Sequence, residues 1–146
     1  MTTTAETASA LKSATVTTLV ALYGPAVQVV YGDPGTWIAE EFVFVSDVLV
    51  SSEISGVVTT SRSGVFDVIV TINEFRGGGV EVQQIATEAA YARLAQLETY
   101  LRTTDPTVGG TVMGNAAIIG HLLTEDVTNS GRSAVIEATM RAMAVG

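Results

Sequence analysis

The chain has no cysteine, which excludes disulfides, thiolate metal sites and cysteine nucleophiles and leaves the redox compartment open. It has a single histidine, His121, so one subunit cannot build a multi-histidine metal site. Basic residues are scarce: seven Lys and Arg stand against fifteen Asp and Glu, for a net charge of −8. That balance opposes broad binding to nucleic-acid phosphates, which needs a basic surface. It does not oppose a surface that DNA slides past without sticking. No run approaches the ~18 uninterrupted apolar residues of a membrane-spanning helix. The first residues, MTTTAETASALK, start polar and lack the basic segment of a secretory signal, so the protein is expected in the cytosol when made.

What is present is an apolar chain of one-domain length. Of its 146 residues, 47% are hydrophobic and only 15% charged, against about 25% charged in a typical soluble domain. A domain of this size buries roughly 70% of the surface its unfolded chain exposes. The remaining apolar surface is therefore expected to be covered by partners.

The stretch Gly64–Arg102 organises the sequence: an alternating strand, a glycine-rich turn and a long amphipathic helix. In Val65–Phe75, Phe66, Val68, Val70 and Ile72 fall on one face and Asp67, Thr71 and Asn73 on the other, with Ile69 as the exception. Arg76–Gly79 breaks the strand. The helix, from about Glu81 to Arg102, aligns Ala86, Ala90, Leu94, Leu97 and Leu101.

Upstream, Thr4–Tyr23 is predicted as a helix with Thr4 or Thr7 as its cap, Glu6 in its first turn and Gly24-Pro25 as its stop. Its apolar face is Ala8, Leu11, Thr15, Leu19 and Leu22. Ala26–Tyr31 is expected as a short buried strand, and Glu41–Val50 as a second strand. The Ser/Thr/Gly-rich segment Ser51–Gly64 suits the outer part of a long β-ribbon that a neighbour would order. Downstream, Thr103–Gly110 is turn-rich, Thr111–Leu123 a strand weakened by Gly114 and Gly120, Glu125–Gly131 a hairpin loop, and Arg132–Val145 a clean strand. The order α-β-β-β-α-β-β predicts a single-domain α+β fold over residues 1–146: a mixed, mostly antiparallel sheet with two helices packed on one face.

Candidate chemistry is sparse. Arg76-Gly77-Gly78-Gly79 lies between strand and helix, where amides could cradle a phosphate. It fits no dinucleotide or nucleotide-loop pattern, and Glu81 would oppose an anion; a flexible turn is the plainer reading. Glu40-Glu41 and Glu125-Asp126 are adjacent acids, but neighbours on a strand point to opposite faces, so solvated charges explain them. His121 with Ser130 or Ser133 and an acid from Glu125–Asp126 would sketch a triad, without the strand–turn–helix setting such a nucleophile needs. Asp33 reads as a turn residue. Trp37, Tyr31 and Phe42 suit an interface anchor and core packing equally. No catalytic residue, cofactor or metal site is expected.

Several stretches carry a resemblance. They are LKSATVTTLVALYGPAVQVVYGDPG, EFVFVSDV, FDVIVTINEFRGGG, IATEAAYARLAQLETYLRTTDPTVGG and the closing NSGRSAVIEATMRAMA. In their order and texture, over nearly the whole chain, they resemble the tail terminator proteins of long-tailed bacteriophages (siphophages). The resemblance implies a non-enzymatic virion protein at the tail–neck junction, assembled in the host cytoplasm. It implies a homohexameric ring that caps the tail tube, stops tube polymerisation, meets the neck or head-completion (stopper) protein and lets DNA pass without specific binding. The interface residues expected on that basis are Trp37, Glu53, Ile54, Val57, Val58, Arg62, Glu125 and Asp126. Of these, Glu53, Glu125 and Asp126 are expected on strand-end loops facing the lumen or the ring faces. Another head–tail connector or neck adaptor is the alternative, with a small ligand-binding domain or enzyme using Arg76–Gly79 as the reading from a different class.

Overall fold

A computed structural model of the chain describes residues 3–54, 62–112 and 114–145. Two helices, α1 (Thr4–Tyr23) and α2 (Gln83–Thr103), accompany five strands: β1 (Gln28–Val30), β2 (Glu41–Ile54), β3 (Arg62–Gly77), β4 (Ala117–Val127) and β5 (Gly131–Val145). The strands form one sheet in the order β1-β2-β3-β5-β4. Only β1–β2 is parallel; the other three pairings are antiparallel. The fold is α+β, as the element order predicts.

α1 begins with a side-chain cap at Thr3. The Thr3 hydroxyl accepts the Glu6 amide at 3.1 Å and donates to the Glu6 carboxylate. The cap is thus Thr3 rather than the predicted Thr4 or Thr7, and its hydroxyl takes the otherwise unpaired Glu6 amide of the first turn. Thr7, Leu11, Thr15, Thr18, Leu19 and Tyr23 form the buried stripe, and Ala8 and Leu22, predicted on it, flank it half-buried. The Thr15 hydroxyl donates back to the Leu11 carbonyl, which satisfies a polar group within that stripe.

α1 lies over β1 and β2, and α2 lies over β3, β5 and β4, so one face of the sheet is covered. The buried residues of α2 are Ala86, Ala90, Leu94, Leu97 and Leu101, the five that helical spacing selects. Beneath them lie Phe66, Val68, Val70 and Ile72 of β3 and Ala134, Ile136, Ala138, Met140 and Ala142 of β5, all almost solvent-free. Alanines on β5 and at the start of α2 let the helix approach the sheet closely, and leucines fill the wider end.

The loop after α2 is also structural. Asp105 accepts the Thr18 hydroxyl at 2.7 Å and the Gly109 amide at 2.8 Å, tying the loop to α1. Val108, fully buried, takes a positive φ of 49° in this turn. A β-branched residue pays steric strain for that backbone, and the buried side chain offsets it.

Three predicted elements differ. Ala26–Tyr31 is not a buried strand. Its first part is a 3₁₀ turn (Gly24–Ala26), and the strand is three residues long on the sheet edge. The predicted strand Thr111–Leu123 starts at Ala117: Val112 and Ala116 are buried, but as part of a loop under the helices. The predicted loop Glu125–Gly131 is shorter, since β4 runs on to Val127. Thr128 accepts the Gly131 amide and closes the turn. Gly131 has no alternative there, because a Cβ would lie 2.2 Å from the Arg76 carbonyl oxygen.

Candidate functional site

Two regions gather side chains beyond ordinary packing: a buried charge cluster at one end of the covered face, and the uncovered face and edges of the sheet.

The alternation that puts Phe66, Val68, Val70 and Ile72 against the helices continues to Glu74, which is fully buried. Register brings Glu41 of β2 beside it. Arg76 donates to Glu41 at 2.7 Å and to Glu74 at 3.1 Å. Arg93, from the middle of α2, reaches Glu41 at 3.4 Å and Glu74 at 3.6 Å. At the latter distance the pair is ionic without a hydrogen bond, and Glu74 Oε1 has no hydrogen-bond partner. Tyr23 of α1 closes the group by donating to the Arg93 carbonyl at 2.7 Å, with the guanidinium 5.8 Å from its ring centre. Two acids and two guanidiniums thus join α1, α2, β2 and β3.

Burial pushes the Glu74 carboxyl up to about 7, and the neighbouring Glu41 adds to the rise; Arg76 opposes it. Burial likewise raises the Tyr23 phenol, against the pull of Arg93. The arrangement fastens the helix layer to the end of the sheet. The pair Glu40-Glu41 does not converge on a common site: Glu41 enters this cluster while Glu40 is exposed.

The other candidate chemistries come apart. The Gly79 amide already donates to the Glu81 carboxylate at 3.1 Å, and the Glu81 and Gly79 amides hold that carboxyl below its usual range. An anion approaching the turn meets an acid seated on its amide. His121 pairs with Ala138 on the covered face and stacks edge-on against Tyr91, whereas Ser133 pairs with Asp126 and Phe75 on the open face. Ser133 of the sketched triad is therefore separated from His121 by the sheet, and Ser130 lies in the turn between β4 and β5, beyond the strand end from His121. Among the described residues, no group of three or more His, Cys, Asp or Glu could hold a metal ion.

On the open face, Phe42 and Phe44 stack 6.2 Å apart, and Trp37 packs edge-on against Phe42 at 5.2 Å and Phe75 at 5.9 Å. Trp37 remains 44% exposed. It borders a recess of about 510 Å³ with Ile38, Glu40, Phe75, Thr128 and Ser130. Trp37 is therefore not a core residue: it lies against Phe42 and Phe75 on the open face, with much of its surface left to solvent. Further along the open face, Arg141 forms a two-pronged pair with Asp67 at 2.8 and 2.9 Å. Hydrogen bonds from Arg141 hold the Asp67 carboxyl below its usual range.

The edges are less protected. β4 is eleven residues long, and Ile119, Leu122 and Val127 on it are 50%, 63% and 67% exposed. On the opposite edge, β1 ends opposite Phe44, and among the described residues no strand pairs with the outer side of β2 from Val45 to Ile54. Glu53, expected on a strand-end loop, lies instead within β2 beside Ile54, and the two pair in register with Ser63 and Arg62 of β3. Val57 and Val58 lie outside the described residues. Glu125 and Asp126 are not in a loop, as expected, but in β4: Glu125 faces α2, where it accepts the Thr87 hydroxyl, and Asp126 faces the open side.

Sequence reasoning missed Glu74, Arg76 and Arg93 as a group. The period-two pattern contained the signal for Glu74, an acid at a core-facing position; nothing in it pointed to Arg93. Neither family models nor characterised proteins match the chain in sequence.

Proposed function

We propose that this chain is a structural subunit of a ring that ends a bacteriophage tail tube, stopping tube polymerisation and joining the tail to the neck. The observation that supports this most is the exposed apolar edge strand β4, surface of the kind a neighbouring subunit covers. The resemblance of the sequence to tail terminators supplies the particular class. The acidic balance of the subunit fits a conduit through which DNA moves without being held. In this reading the charge cluster is a fastening within each subunit, and function lies on the edges, the open face and the β2–β3 ribbon.

The test is addition of the purified protein to tail tubes still able to elongate. The expected result is binding at one tube end and arrest of elongation. The protein is also expected on free, headless tails. A protein that leaves elongation unchanged and is found only on the head side would instead be a neck adaptor.

A further inference from the structure

The two edges of the sheet are complementary to each other. Going across the sheet, β2 and β5 run one way and β3 and β4 the other. If a second copy is placed alongside in the same orientation, β4 of the first meets the outer edge of β2 of the second in antiparallel sense. The helices of both copies then cover the same side. Antiparallel pairing satisfies the backbone groups that both edges leave open.

Side chains agree with this pairing. Leu49 of β2 pairs with Asp67, and Leu122 of β4 pairs with Glu137, so both leucines project from the open face. They are 65% and 63% exposed. Val48 and Leu123 pair with Val68 and Ile136, so both lie on the covered face and are half-buried. Setting Leu49 opposite Leu122 sets Val48 opposite Leu123, and apolar meets apolar on each face. The three-residue β1 stops short of this segment, and Lys and Pro, the usual guards of an open edge, are absent from both strands.

We infer that β4 of one copy pairs antiparallel with the Val48–Ser51 edge of β2 in the next, with Leu122 opposite Leu49, and that repetition of this contact builds the ring. The contact joins two different surfaces of the same chain, so it propagates from copy to copy and closes when the rotation allows. A symmetric β4–β4 contact would instead stop at a dimer and leave β2 open. The inference rests on the ring reading given above and adds to it the surfaces and register that close the ring.

The absence of native cysteine makes the register testable by engineered disulfides. Antiparallel partners bring Cβ atoms within bridging range, and residues a few positions out of register are too distant. Leu49→Cys and Leu122→Cys are introduced separately and together, with Val80→Cys, 73% exposed outside the sheet, as the collision control. Samples are oxidised, run on non-reducing gels and sized by light scattering.

The expected result is a covalent ladder from the double variant and dimers from a mixture of the two single variants. Each single variant alone should cross-link no faster than the control. Rapid dimerisation of Leu122→Cys alone would overturn the inference in favour of a symmetric contact. Oligomers that scatter as rings yet cross-link no faster than the control would overturn the register and leave the ring reading standing. A chain that stays monomeric without cross-linking, both free and on tubes, would remove both.

Discussion

Asp67 and Glu74 lie seven positions apart on the same strand, on opposite faces of the sheet, and each is paired with arginine. Their carboxyls nevertheless shift in opposite directions: Asp67 is held below its usual range and Glu74 is pushed above it. Asp67 has one arginine, at the open face, and keeps contact with water. Glu74 has two, but it lies under the helices beside a second carboxylate, and losing water outweighs gaining cations. The comparison extends to the two faces as a whole. The same strand specifies a dry core on one side and an adaptable, half-wet surface on the other, and the energetic consequence of a side chain follows its face more than its type.

The largest effect should come from apolar truncation. Leu94→Ala on α2 removes a buried side chain from the covered face and should cost about 2–5 kcal/mol in urea unfolding. Leu122→Ala, on the exposed edge, should leave the stability of the isolated subunit nearly unchanged while weakening self-association. Equal losses of subunit stability from the two would dissolve the contrast between core and edge.

Next comes Glu74→Ala, which empties a buried site under the helices and leaves Glu41 to face both Arg76 and Arg93; it should cost about 3 kcal/mol at neutral pH. Glu74→Gln keeps the shape and serves a different purpose, since it isolates the titration. A carboxyl raised in the folded state favours folding when protonated. Its contribution is complete below the ordinary value of 4.5 and is lost as pH rises through about 7. Over that window it should lower stability by at most about 3 kcal/mol. Denaturation midpoints measured from pH 4.5 to 8 should show this fall in the wild type and a flatter profile in Glu74→Gln. An unchanged slope would remove Glu74 as its source.

Asp67 should give the smallest change and the opposite sign. Its carboxyl is depressed in the folded state, so its contribution is present above the ordinary value of 3.8 and is lost as pH falls through the lower folded value. Asp67→Asn should abolish that acid-side dependence, and high salt should mimic much of its effect in the wild type, because Arg141 stands in solvent. A loss as large as that of Glu74→Ala would mean that the open face is not as wet as the exposed Arg141 indicates.

Periodicity made much of this fold legible. The α2 stripe, the core faces of β3 and β5 and the extent of α1 all follow from spacings of three and four or of two, since each such element buries one face against a common core. Composition is a weaker guide than periodicity. The run Ala26–Tyr31 has the composition of a buried strand, yet only Val27 in it is buried and the strand is a three-residue edge. Val112 and Ala116 fall within the predicted strand Thr111–Leu123 and instead plug the core from a loop. Composition records how apolar a segment is, but not which neighbour will cover it.

The sequence by itself determined the order of elements, the faces that meet and the absence of thiol chemistry, because each depends on local pattern or on residue type. Tertiary structure decided the rest. It brought Glu41 and Arg93 to Glu74, although they are distant along the chain and share no motif. It separated His121 from Ser133 by a sheet. It placed β1 so short that, among the described residues, no strand pairs with most of the outer edge of β2. Such facts depend on long-range register and on which backbone groups remain unpaired once the sheet has formed, and these are properties of the assembled strands rather than of any one segment.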